Sequence, residues 1–290
     1  MPESQSIIIS GAGSGFGALA ALTLARQGHA VFAGLRSPTT RNADAANRLI
    51  DTARREGLTI YVVDLDVTDD QSVESAISEV IALAGHLDVV VNNAGSLYVG
   101  PLEAFRPEQV RQQFETNVVG TMRLNRAALP HLRAQRSGLL IQIGSLLGRL
   151  AFPYLGLYAA SKFALEGLTE AYRLELAGHG IDVVIVEPGA HPTGLDARAV
   201  VAADQSRLGA YPEAQRGAAV VASAEANPQD VADAIARLVA LPPGTRPLRF
   251  VVATDRERQA VEPLNAVSDQ VIQAVMGRAG AGVPGVSKPA

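Results

Sequence analysis

Tyr158 and Lys162 stand four residues apart in Tyr158-Ala-Ala-Ser-Lys162. On a helix that spacing puts both side chains on one face. A free tyrosine titrates at about 10 and is a poor base at neutral pH, but a neighbouring ammonium stabilises the phenolate and lowers that value. Such a pair can pass a proton to or from an alcohol oxygen. Taken alone, Tyr-x-x-x-Lys arises by chance in many helices. Ser145 lies thirteen residues before Tyr158, at the end of an apolar run over 139–143, and adds a hydroxyl that can bind the same oxygen. A serine standing alone at a strand end would more simply satisfy backbone groups.

A second group of residues suits phosphate. The segment Ser10-Gly-Ala-Gly-Ser-Gly-Phe-Gly17 follows an apolar run and opens a helical stretch. Glycines let the backbone turn tightly and approach a pyrophosphate, and a helix start offers free N–H groups and positive dipole. Gly11, Gly15 and Gly17 fit G-x-x-x-G-x-G, not the G-x-G-x-x-G dinucleotide fingerprint, and no Gly-Lys-Ser/Thr follows, which excludes a P-loop. A plain tight turn is the simpler alternative. About twenty residues on, where an NAD-binding fold carries an acid for the ribose 2′-hydroxyl, the sequence reads Val31-Phe-Ala-Gly-Leu-Arg36-Ser37. Arg36 in place of the acid suits a 2′-phosphate and favours NADP(H), with NAD(H) as the other option.

These residues need a scaffold that brings positions 11, 36, 145 and 158 together. Strands are expected at 6–10, 30–35, 59–64, 89–92, 139–143, 182–186 and 248–253. Several are apolar at consecutive positions, which suits parallel strands buried on both faces. Helices are expected at 17–27, 73–83, 110–136, 159–177 and 229–239, the last opened by Asn227 as N-cap and Pro228 at its first position. The alternation predicts an α/β fold, a Rossmann-type doubly wound parallel sheet of about seven strands with helices on both faces. No linker divides the chain, so 1–278 reads as a single NAD(P)-binding domain that includes a long substrate loop at 189–226. The Gly-, Ala- and Pro-rich segment 279–290 reads as a flexible tail.

Composition narrows the chemistry. The 290 residues are 48% hydrophobic and 19% charged, enough for a large core, and the net charge of −4 lacks the basic excess of a nucleic-acid binder. There is no cysteine, which removes thiolate catalysis, disulfides and Cys-ligated metal. The five histidines are not paired at metal-ligand spacing, so no metal is expected. Asp64, Asp66, Asp69 and Asp70 fail the EF-hand pattern. The N terminus lacks a signal-peptide pattern and no apolar run is long enough to span a bilayer, so a cytoplasmic protein is expected.

Taken together, Gly11/Gly15/Gly17, Asp66-Val67, Asn92-Asn93-Ala94-Gly95, Asn117, Ser145, Tyr158, Lys162 and Pro188-Gly189 resemble the short-chain dehydrogenase/reductase family in order and spacing over about residues 5–255. The segments 126–133, 158–176 and 186–190 resemble the branch of hydroxysteroid- and retinol-type dehydrogenases and bacterial ketoreductases. The resemblance implies that Tyr158 is the acid/base and that Lys162 lowers its pKa and bonds the nicotinamide ribose. It implies that Ser145 binds the substrate oxygen and that Asn117 holds a water in a proton relay. Asp66 and Val67 would meet the adenine. Asn93, Ala94 and Gly95, with Ser14 and Phe16 of the glycine loop, would support the cofactor, and Pro188, Gly189 and Thr193 would lie near the carboxamide. Leu147, Tyr98, Tyr154 and His191 are candidates for the substrate pocket.

The sequence departs from the family pattern at Ser10 for threonine, at Gly144 for serine, and at Ser14, which is often basic in NADP-dependent members. The resemblance further implies a carbonyl/alcohol oxidoreductase acting on a hydrophobic small molecule. It also implies a homodimer or homotetramer built partly on the helices 110–136 and 159–177. An extended-type nucleotide-sugar epimerase or dehydratase would share Tyr-x-x-x-Lys but has different glycine spacing. A non-catalytic NAD(P)-sensing regulator would commonly lack the tyrosine or the lysine.

Overall fold

In the computed structural model, residues 4–214 and 226–278 are described. Ile7, Ile8 and Ile9 all have no exposed surface, although neighbours on a strand point to opposite faces. Both faces of the sheet are therefore covered. Ile7, Ile9, Val31, Ala33, Val89, Val91, Leu139 and Ile141 belong to one core. Ile8, Phe32, Val90 and Leu140 belong to the other. The consecutive apolar runs of the sequence are this two-sided burial.

The central sheet has seven parallel strands in the order β3-β2-β1-β4-β6-β7-β9. They are β1 (Ser6–Ser10), β2 (Ala30–Leu35), β3 (Ile60–Asp64), β4 (Val89–Asn92), β6 (Gly138–Ile143), β7 (Ile181–Pro188) and β9 (Arg249–Val252). β5 (Tyr98–Val99) and β8 (Val200–Val201) pair separately. Helices α1 (Gly15–Arg26), α2 (Ala43–Glu56) and α8 (Pro228–Ala240) bury their apolar sides in the first core. Helices α3 (Asp70–Ala84), α5 (Gly120–Gln135) and α6 (Gly156–Leu176) bury theirs in the second. The expected doubly wound sheet is thus present. Strand order reverses between β1 and β4, and a crevice at such a switch point, beyond the carboxyl ends of the strands, is where open α/β sheets bind ligands.

Several expectations are corrected. The expected helix at 110–136 is three pieces: α4 (Pro107–Phe114), a π-helical turn (Glu115–Val119) and α5. The wider turn carries Asn117, and such turns are frequent at functional sites. Helix α2 is not among the expected elements, although Ala45, Ala46, Leu49 and Ala53 form its buried stripe. A long final helix, α9 (Asp255–Arg278), follows β9 where no helix is expected. The loop 189–226 carries local structure: a 3₁₀ turn (Asp196–Arg198), β8 and the short α7 (Gln205–Leu208). Its part at 215–225, and the expected tail 279–290, lie outside the described residues. Asn227 caps α8 as expected, its side chain accepting from Gln229 N at 3.0 Å.

Candidate active site

The crevice is built from the ends of β1, β4, β6 and β7. At the end of β1 the chain turns through Gly11 (φ +68°) and Gly15 (φ +54°), backbone conformations that L side chains rarely adopt. A Cβ on Gly11 would sit 2.9 Å from Ala94 Cα, so the Asn93-Ala94 segment packs directly on the loop. Asn93 Nδ2 donates to Ser10 O at 2.9 Å and Gly11 O at 3.1 Å. Ser10 Oγ accepts from Asn93 N and Ala94 N at 3.1 and 3.0 Å, so the hydroxyl that replaces threonine here ties β1 to β4. Gly17 is required by packing, because a Cβ there would meet Asn93 Nδ2 and lie 2.6 Å from Gly11 O.

Helix α1 opens at Gly15. Ser14 at its N-cap does not cap with its side chain, and no acid stands in the first turn. The positive helix end is left without a negative group in that turn, which fits a phosphate. Arg36 follows β2, half exposed, with Nε 3.9 Å from Asp66 Oδ2. Asp66 Oδ1 accepts from Thr68 N at 2.9 Å and Thr68 Oγ1 at 2.7 Å, fixing the turn that carries Val67. These groups suit a dinucleotide running from Arg36 past α1 towards β7.

At the β7 end, Gly189 N donates to Val252 O at 2.9 Å. His191 is buried, its Nδ1 2.9 Å from Gly189 O and its ring edge-on to Phe16 with centroids 5.3 Å apart. It braces the loop against α1. A Cβ on Gly15 would lie 3.1 Å from Thr193 Cβ, so Thr193 reaches the glycine loop. Pro188 closes β7 beside them.

The hydroxyl cluster lies between β6 and α6. Ser145 leaves β6 in extended conformation, and its Oγ accepts from Leu147 N at 3.1 Å. Its hydroxyl also acts on the Tyr158 phenol, favouring the ionised form. Tyr158 is buried, and that burial pushes its phenol up to about 12, with Ser145 acting in the opposite sense. Lys162 Nζ donates to Ile143 O at 2.7 Å and lies 5.6 Å from the centre of the Tyr158 ring. Burial draws the Lys162 amine down to about 8, opposed by Glu166 one turn further along α6.

Asn117 is buried and its amide is fully engaged. Oδ1 accepts from Ser96 N at 2.8 Å, and Nδ2 donates to Ser96 O at 3.1 Å and Ser161 Oγ at 3.0 Å. Ser161 in turn donates to Tyr158 O at 2.7 Å. Asn117 thus locks the π turn and Gly95 to α6; a Cβ on Gly95 would lie 3.5 Å from its Oδ1. Ser96, Ser161 and Gln113, which donates to Ser96 O at 2.8 Å, do not stand out in the sequence. Their only signal there is proximity to Gly95, Lys162 and Asn117.

Around Tyr158 lie the buried Leu97, Val99 and Leu155 and the partly buried Leu147, Leu195 and Ala199. Leu147 therefore stands where a pocket wall is expected. Tyr98 does not stand free in that pocket. It is buried with Phe105 and Leu157, and its hydroxyl donates to Gln112 Oε1 at 3.0 Å. Tyr154, with φ +66°, uses its carbonyl to accept from Gly100 N at 2.8 Å.

The family model for short chain dehydrogenases matches residues 5–203. The chain belongs to the short chain dehydrogenase family. A 3-ketodihydrosphingosine reductase of Bacteroides thetaiotaomicron is 38% identical over 193 residues, 67% of this chain. The match spans 66% of that relative, just under two thirds of its length. A short-chain dehydrogenase structure from Streptomyces avermitilis is 31% identical with a TM-score of 0.79, over 97% of this chain and 100% of that one. A gluconate 5-dehydrogenase from Burkholderia cenocepacia, in complex with NADP and tartrate, is 31% identical with a TM-score of 0.62, over 67% of this chain and 74% of that one. Among the described residues, no helix of this family member is long and apolar enough to cross a membrane.

Proposed function

We propose that this short chain dehydrogenase is an NADP(H)-preferring oxidoreductase that interconverts a hydrophobic ketone or aldehyde with its alcohol. The Ser145 hydroxyl acting on the Tyr158 phenol, among apolar side chains and next to Lys162, carries this reading. The NADP-bound relative supports a nicotinamide cofactor. Gly11, Ser14, Gly15 and Phe16 would hold its pyrophosphate, Arg36 its 2′-phosphate, Asp66 and Val67 its adenine, and Pro188, Gly189 and Thr193 its carboxamide end. Bound there, the nicotinamide supplies or accepts the hydride.

In reduction, the Ser145 and Tyr158 hydroxyls donate hydrogen bonds to the carbonyl oxygen and polarise it. Tyr158 then gives up its Oη proton as the oxygen becomes an alkoxide. A phenol pushed up to about 12 is protonated at neutral pH and ready for that role, while the alkoxide is far more basic. Lys162, on the same helix face, stabilises the phenolate left behind. Asn117 positions the π turn against α6 at Ser161, next to Lys162. Oxidation runs in reverse.

The hydrophobic substrate class rests on Leu97, Val99, Leu147, Leu155, Leu195 and Ala199 around Tyr158. A homodimer or homotetramer is part of the proposal: Val119 and Met122 on the π turn and α5, and Phe163 on α6, are 39%, 40% and 44% exposed. The test is NADPH consumption across a panel of apolar ketones and aldehydes, with Tyr158→Phe alongside. The variant should bind NADPH normally and lose turnover by at least about 10²-fold, the scale of a general acid. Near-wild-type turnover in Tyr158→Phe would overturn the mechanism, and NADPH binding without turnover on the whole panel would favour a sensor.

A further inference from the structure

The segment after β7 carries a cation to an unexpected place. Arg198 ends the 3₁₀ turn Asp196–Arg198, yet its Nη1 donates to Ser14 Oγ at 2.8 Å, 184 residues away in sequence. Ser14 is the N-cap of α1, and its side chain accepts this guanidinium in place of the helix N–H groups it would ordinarily cap. A guanidinium at the positive end of a helix is electrostatically misplaced by itself. An anion between the helix end and the guanidinium would satisfy both at once.

We propose that Arg198 is a phosphate ligand of the bound dinucleotide, brought in by the segment after β7 and held at α1 by Ser14. The assignment rests on the cofactor reading above. A Cβ on Gly13 would lie 3.3 Å from the Leu35 side chain, so the glycine loop packs on the end of β2, which Arg36 follows. The 2′-phosphate and the pyrophosphate both pass this region in the proposed binding path.

The same short segment also faces the substrate side. Thr193 contacts Gly15 at one end. Leu195 and Ala199 pack at the Tyr158 cluster, and Val200 and Val201 pair with Tyr98 and Val99. A phosphate that fixes Arg198 therefore also fixes Leu195 and Ala199 over the substrate recess. Cofactor and apolar substrate are coupled through these residues.

The test measures dinucleotide affinity directly, by the fluorescence of reduced nicotinamide, in wild type, Arg198→Ala and Arg198→Lys. Arg198 is exposed, so the variants should keep the wild-type melting temperature, which is checked first. Loss of charge-assisted hydrogen bonds should weaken NADPH binding in Arg198→Ala by roughly ten- to a hundredfold, with partial recovery in Arg198→Lys. An equal loss for NADH assigns the pyrophosphate, and a loss confined to NADPH assigns the 2′-phosphate. Unchanged affinity for both dinucleotides in Arg198→Ala overturns the assignment and leaves the cofactor reading standing. Failure of the wild type to bind either one overturns both.

Discussion

At the scale of single residues, burial decides the chemistry more than charge pairing does. The sequence places an ammonium one helical turn from the tyrosine, but the structure turns that ammonium to the Ile143 carbonyl. Desolvation then leaves a neutral phenol and an amine drawn down to about 8. Ser145 eases Tyr158 towards ionisation. Ser145→Ala should raise the Tyr158 pKa further and slow carbonyl reduction by roughly 10²-fold, the effect of one lost oxyanion-type donor. NADPH affinity should be unchanged. A variant that loses NADPH affinity in step with turnover would move Ser145 from the substrate oxygen to the cofactor.

Arg36 calls for a separate measurement. It is half exposed and 3.9 Å from Asp66, an arrangement that leaves it free to turn to a phosphate. Arg36→Ala should weaken NADPH roughly ten- to a hundredfold and leave NADH nearly unaffected, because only the former carries the 2′-phosphate. Equal effects on the two cofactors would remove the basis for the NADP(H) preference.

At the scale of elements, the glycines separate two demands that sequence spacing merges. Gly17 is closed in by Asn93 and the Gly11 carbonyl, whereas a Cβ added to Gly167, in the middle of α6, would meet nothing within 4 Å. Gly17→Ala should therefore destabilise the fold by about 1–3 kcal/mol, the usual penalty for overpacking. Gly167→Ala should stabilise it by up to about 1 kcal/mol through helix propensity. Urea unfolding of both variants checks the contrast, and similar values for the two would show that the loop yields.

The same scale shows how much of the fold is legible in the sequence. The seven core strands are legible because two-sided burial writes an unbroken apolar run, as in Ile7-Ile8-Ile9 and Val89-Val90-Val91. Helix α2 is not, because its buried face is mostly alanine, a weak signal beside the arginines of the exposed side. The π turn at Asn117 is hidden too, since helix periodicity continues smoothly through it and the widening is set by tertiary bonds to Ser96 and Ser161. Tyr158, Lys162 and Ser145 are legible by spacing. The place of Arg198 is not, because its partner Ser14 is at the other end of the domain.

At the scale of the whole molecule, one buried cluster ties the catalytic helix to the end of the described chain. Arg249 on β9 bonds Glu166 at 2.9 Å and Asp269 at 2.8 Å, pairs with Glu170, and lies 3.7 Å from Glu187. Glu187 on β7 accepts from Asn265 of α9 at 2.6 Å. Four carboxylates face one guanidinium. Glu166 Oε1 and Glu187 Oε1 are buried without a hydrogen-bond partner, an arrangement that favours a protonated carboxyl. Burial, reinforced by Glu187, pushes Glu166 up to about 8 from 4.5, and burial raises Glu187 as well.

The sign of the pH dependence follows. Between about 4.5 and 8 the unfolded chain releases the Glu166 proton while the folded chain retains it, so stability falls as pH rises through that window. Lys162 acts in the next window. Its amine is drawn down from 10.5 to about 8, so the unfolded chain holds more protons between those values and stability recovers as pH rises further. Glu166→Gln keeps an oxygen for Arg249 and supplies an N–H in place of the carboxyl proton, but it cannot ionise. Its melting temperature relative to wild type should therefore climb steadily from pH 5 to pH 8 and then level off. A difference that stays constant over that range would mean that Glu166 is ionised in the folded protein.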